Sequence, residues 1–177
     1  MGKPSEPEPV KLFTGLLTSK PEILPKVEDH LSREFGPIDQ ESSLIPFDFT
    51  DYYRQEMGED IKRKFLSFEE LIYPGKLAGV KLLTNDLEDK FSENLTVDLS
   101  RPVNIDPGYV GLSKLVLATT KNYSHRVYIG EGVYAEVTLQ YEDGDFKAQE
   151  WTYPDYRSEA YVEFFERVRN SYSKQLD

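Results

Sequence analysis

The chain has 177 residues, 38% hydrophobic and 13% aromatic, and a formal net charge of −11. That is material for one domain with a substantial core, and the acidic balance argues against general nucleic-acid binding, which needs clustered Lys and Arg. Without cysteine there is no disulfide, no thiolate zinc site and no cysteine nucleophile.

Residues 1–9 are rich in Pro and Glu and read as a flexible tail, leaving 10–177 as a single domain. No apolar run approaches the ~18 residues of a membrane span, and the N-terminus lacks a signal peptide's apolar core. A soluble, cytoplasmic protein with no membrane partner is expected. The sequence sets no oligomeric state.

Residues 11–19 predict a first strand. Ser19 then opens a helix to Phe35, with Leu24, Val27, Leu31 and Phe35 at helical spacing and Gly36 as its stop. Pro25 is tolerable there only in the first turn. His30 reads as a surface or boundary histidine. Residues 38–50 suggest a second strand, bent or at an edge because of Pro46. Residues 51–58 read as a turn or short helical piece. The stretch 61–72 fits either a helix, through Ile61, Phe65, Phe68 and Ile72, or a strand. A helix is predicted from Pro74 to Phe91, then a polar connector over 92–100.

The string NIDPGY, 104–109, reads as a turn: Pro107 presets φ, Gly108 can take φ > 0, and Asp106 can bond backbone amides. An antiparallel meander follows. Leu115, Leu117 and Thr119 alternate with Val116, Ala118 and Thr120, the sequence turns at 130–132, and Val133 to Tyr141 alternate again. A turn at 142–145, a last strand and a terminal helix opened by Ser158 complete the chain. Tyr161, Phe164, Phe165, Val168 and Tyr172 form that helix's apolar stripe. The predicted class is α+β: a largely antiparallel sheet with helices on one face, its first half a ferredoxin-like split βαβ.

Chemistry concentrates in the second half. The loop TTKNYSHR holds Lys121, His125 and Arg126 beside the sheet, a set suited to a phosphate or carboxylate, with His125 as acid or base. The plain alternative is a solvated hairpin loop. Glu136 shares a strand face with Tyr134, Thr138 and Gln140, and becomes a ligand or base if that face is covered. Asn104 and Asp106 offer oxygens to a cation or a hydroxyl. Lys81, Asn85 and Glu88 form one polar stripe on the middle helix, and most such stripes face solvent. Asp51 and Glu56 follow a strand, where acids often line a cleft. Tyr153 and Asp155 come late, Asp155 read first as a cap of the last helix. Two histidines exclude a His-rich zinc site, whereas carboxylates could hold Mg²⁺ or Mn²⁺. Phosphate-binding Gly-rich loops, metalloprotease HExxH and nucleophile-elbow motifs are absent.

The strings FTDYYRQEMG, KLLTNDLE, RPVNIDPGY, LATTKNYSHR, VYAEVTLQY and WTYPDYR resemble the bacterial and archaeal family of unknown function DUF4416, over Val10 to Leu176. The resemblance implies one stand-alone domain and supplies no activity. The expectation drawn from the residues is a protein that binds a small anionic metabolite or nucleotide. Lys121, Arg126 and His125 would hold the anion, and Asp106, Glu136 and Asp51 or Glu56 would serve as base or as ligands of a divalent metal. The other candidate is a non-catalytic interaction module using a Tyr-rich sheet face.

Overall fold

A nine-stranded sheet organises residues 2–95 and 99–177, which a computed structural model of the chain describes. The strands are β1 (Val10–Thr18), β2 (Ile38–Glu41), β3 (Ile45–Pro46), β4 (Lys62–Ile72) and β5 (Asn104–Val110). They continue as β6 (Lys114–Thr119), β7 (Val127–Gly130), β8 (Val133–Glu142) and β9 (Asp145–Ala148). The helices are α1 (Leu24–Phe35), the short α2 (Arg54–Met57), α3 (Leu77–Asn94) and α4 (Glu159–Leu176). Strand order is β2-β4-β1-β5-β6-β8-β7, with β3 added to β4 and β9 to β8. Every pairing is antiparallel, and the class is α+β.

The first half has the ferredoxin-like order β2-β4-β1-β5, with α1 and α3 as crossovers. Alternation along β1 sends Leu12 and Leu16 to one face, where Val27, Leu31, Val80, Leu87 and Phe91 of α1 and α3 cover them. Phe13 points to the opposite face, against Phe164, Phe165 and Val168 of α4. Helices therefore cover both faces, not one. The apolar stripe of α4 is the reason: an antiparallel sheet this rich in Phe needs both sides shielded from water. Lys11, fully buried, is matched by the Asp39 carboxylate and by Gln175 Oε1 at 2.7 Å, which ties the end of α4 to β1 and β2.

Several predicted elements hold with small shifts. Pro25 sits in the first turn of α1, where its missing N–H costs nothing, and Gly36 ends the helix at φ 89°. The ambiguous stretch 61–72 is a strand, because β1 on one side and β2 and β3 on the other take up its hydrogen bonds. Residues 38–50 hold two short edge pieces, β2 and β3, instead of one strand. Helix α3 runs on to Asn94, and residues 96–98 of the expected connector lie outside the described residues.

The main correction concerns NIDPGY, which is strand β5 and not a turn. Gly108 is required there for closeness: a Cβ would lie 2.4 Å from the Val116 carbonyl oxygen and 2.6 Å from the Phe13 ring. Pro107 has a second effect. Strand β5 pairs with β1 along its whole length, but with β6 only at Gly108, Tyr109 and Val110. Backbone groups of Ile105, Pro107 and Tyr109 share one direction, toward β6, and Pro107 has no N–H to donate. The sheet forks at that point. A further correction follows, since β8 lies between β6 and β7, and the 120–126 segment crosses over β8 instead of closing a hairpin.

Candidate functional site

A cleft of about 980 Å³ fills the fork. Asn104 and Asp106 of β5 line one bank and Leu117, Ala118 and Thr119 of β6 the other. Helix α3 contributes Lys81, Asn85 and Glu88 from one face, and the segment entering α4 contributes Tyr153 to Tyr156 from the other. The backbone groups that β6 leaves unpaired are taken by α3. Glu88 Oε1 accepts from the Ile105 N–H at 2.6 Å, and Lys81 Nζ donates to the Ile105 carbonyl at 3.3 Å. The polar stripe of α3 is thus a fork cap, with Lys81 and Glu88 both buried, and not a solvent face.

The floor is a network around Asp106. Asn104 Nδ2 donates to Asp106 Oδ2 at 2.7 Å, Arg63 lies 3.4 Å from the same oxygen, and Lys81 Nζ is 3.7 Å from Oδ1. Desolvation pushes the Asp106 carboxyl upward, but the Lys81 and Arg63 cations with the Asn104 amide outweigh it and hold it below the usual carboxylate range. Arg101 pairs with Glu88 at 2.8 Å and with Glu56 at 3.4 Å, and its guanidinium lies over the Tyr53 ring. Burial raises the Glu88 carboxyl above its ordinary value against the pull of Lys81 and Arg101. Asp155 does not cap α4. It lies buried 3.5 Å from Arg63, and burial raises its carboxyl too.

The mouth is organised by Glu136, only 2% exposed. It accepts from His125 Nε2 at 2.8 Å, from Arg126 Nε at 2.9 Å and from Thr138 Oγ1 at 3.2 Å. This fixes the imidazole with its Nε2 proton on the carboxylate. Nδ1 has no hydrogen-bond partner among the described residues. The His125 ring stacks on Trp151, centroids 5.2 Å apart, at the edge of an adjoining hollow lined by Tyr123, Arg126 and Tyr153. Arg126 also donates to the Tyr153 hydroxyl at 3.0 Å. Lys121, exposed, donates to the Tyr52 hydroxyl at 3.2 Å and forms no ion pair among the described residues.

Of the residues singled out in the sequence, all but Asp51 line the cleft or this hollow. Asp51 stays at the surface and pairs with Arg54 at 3.1 Å within its own turn of chain. Arg63 and Arg101 are members that sequence reasoning did not assign to the site. Arg63 left a signal: on β4 it falls in the phase of Ile61 and Phe65, where a charge must find buried partners. Among the described residues no group of three or more His, Asp or Glu side chains is placed to hold a metal. The carboxylates of the cleft are engaged with cations and amides. No helix among the described residues is long and apolar enough to cross a membrane.

Fold and site together define an α+β protein whose sheet forks around a charged, tyrosine-walled cleft. Residues 8–172 match the sequence model of a family described as a domain of unknown function, DUF4416, and the chain belongs to that family. Neither a curated protein nor a solved structure gives a significant match.

Proposed function

We propose that the cleft binds a small anionic metabolite or nucleotide, with its anionic group held at the mouth by Lys121, Arg126 and His125. The observation that carries this is the charge balance there: two fixed cations and an imidazole meet one buried carboxylate, Glu136, and one exposed carboxylate, Glu150, and Lys121 keeps its ammonium without an ion pair among the described residues. Guanidinium and ammonium donors in the cleft, with the imidazole in the hollow that adjoins it at Arg126, suit phosphate or carboxylate oxygens. An enzymatic version of the reading rests on the Glu136–His125 pair. With Nε2 tied to Glu136, His125 Nδ1 is the nitrogen that would exchange a proton with a ligand seated on Lys121 and Arg126. The cytoplasm is the compartment proposed, on the cysteine-free composition.

A thermal-shift screen against nucleotides, sugar phosphates and organic acids tests the binding. A ligand at about 100 times its Kd stabilises by roughly 2.7 kcal/mol, several degrees for a domain of this size. Shifts confined to anions are expected, and no shift with any anion contradicts the reading. The interaction-module reading has one observation on its side: edge strand β7 exposes Val127, Tyr128 and Ile129. It predicts a pull-down partner that is lost on Tyr128→Lys.

A further inference from the structure

Resting on the anion reading of the mouth, the geometry of the floor points to the rest of the ligand: a phosphate monoester carrying vicinal hydroxyls, the chemistry shared by sugar phosphates and nucleotides. Three cations of the floor, Arg63, Lys81 and Arg101, face four carboxylates: the buried Glu88 and Asp155, the partly buried Asp106 and the more exposed Glu56. With each of these cations already matched by a carboxylate, the floor has no pull on a second anion. It offers fixed donors and acceptors side by side, and a hydroxyl, being both donor and acceptor, satisfies such a mixture.

The floor also has unused hydrogen-bonding capacity. Tyr156 lines the cleft and is only 3% exposed, and its buried hydroxyl has no partner among the described residues. Arg63, equally buried, carries five N–H donors but reaches its neighbours only at 3.2 Å to the Tyr161 hydroxyl, 3.4 Å to Asp106 and 3.5 Å to Asp155. Asn85 projects into the cleft from α3 with no side-chain hydrogen bond among the described residues. A buried phenol without a partner is costly, and a ligand atom that completes it recovers that cost. Tyr53 and Phe47 wall the same region and offer apolar surface to the C–H face of a sugar ring.

Calorimetric titration of the full chain with ribose 5-phosphate, butyl phosphate, inorganic phosphate and adenosine monophosphate decides the matter. Ribose 5-phosphate is expected to bind about tenfold more tightly than butyl phosphate, the worth of roughly two good hydrogen bonds. Asn85→Ala and Tyr156→Phe are expected to erase most of that preference while leaving butyl phosphate binding unchanged. Tyr156→Phe also keeps or raises the melting temperature of the free protein, since it removes an unpaired hydroxyl, so a lost preference is not a loss of fold. Tighter binding of adenosine monophosphate than of ribose 5-phosphate identifies the ligand as a nucleotide, and the reverse order as a free sugar phosphate. Either order supports the hydroxyl chemistry only together with the preference for ribose 5-phosphate over butyl phosphate. Equal affinity for ribose 5-phosphate and butyl phosphate overturns it and leaves the anion reading standing. Failure of every phosphate to bind overturns both.

Discussion

The floor and the mouth of the cleft use the same residue types in opposite ways. On the floor Arg63, Lys81 and Arg101 are each within 4 Å of at least one carboxylate, and Arg63 and Lys81 are almost wholly out of water. At the mouth Glu136 is buried, Arg126 is mostly covered, and Lys121 stands in solvent. Burial explains the contrast. A charge removed from water must be matched locally, whereas an exposed one can remain unmatched and attract a ligand. The floor therefore fixes shape and hydrogen-bonding pattern, and in the proposed reading the mouth supplies attraction.

The largest effect is expected from breaking the floor. Arg63→Met leaves Asp106 and Asp155 without their shared cation, and loss of one partner of a buried pair costs about 3–5 kcal/mol. Urea unfolding should show it directly. Next comes the point where floor and mouth diverge. Gly108→Ala forces a methyl against the Val116 carbonyl and the Phe13 ring, and the overpacking should cost about 1–3 kcal/mol by the same measurement.

Asp106 sharpens the comparison through pH. Its folded pKa is depressed, so its contribution is present above the unfolded value of about 3.9 and is lost as pH falls through the lower folded value. The stability gap between the native chain and Asp106→Asn should accordingly narrow below about pH 4 and stay constant from pH 5 to 7. A gap independent of pH throughout would mean that Asp106 is not held by its cations.

The mouth should behave in the reverse manner. Lys121→Ala changes stability by less than about 0.5 kcal/mol, as a surface substitution does. It should nevertheless weaken phosphate binding about tenfold, a charge-assisted contact being worth roughly 1.5 kcal/mol. Raising the salt concentration weakens phosphate binding to the native chain for the same reason. The smallest effect is that of Mg²⁺ or Mn²⁺: with the floor carboxylates engaged by cations, either ion should leave phosphate affinity within about twofold by calorimetry.

Local pattern predicted those elements whose pattern reports burial. The helical spacing of Val27 and Leu31 and the stripe from Tyr161 to Tyr172 each mark a face that is buried as the period implies, and the apolar run from Leu115 to Ala118 is buried on both faces of its strand. NIDPGY misled because Pro and Gly have two uses. Here Pro107 interrupts a ladder and Gly108 permits a close approach, both inside a strand, and only the neighbouring strands distinguish that from a turn. The position of β8 between β6 and β7 is likewise a pairing choice made at long range. Candidate polar residues such as Lys81, Asp106 and Glu136 were legible as chemistry. Their partners were not, since Arg63 lies 43 positions from Asp106 in sequence and meets it only through the fold.

The anion site at the mouth can be tested most directly by nuclear magnetic resonance of the imidazoles. The chain has two histidines, His125 beside Lys121 and Arg126, and His30 on α1, where its Nδ1 lies 2.9 Å from the Lys26 carbonyl. Titration with inorganic phosphate at constant pH and ionic strength should move the His125 ring resonances along a saturable curve while those of His30 stay in place. Resonances of both histidines that stay still, or that drift together without saturation, would contradict an anion site at the mouth of the cleft.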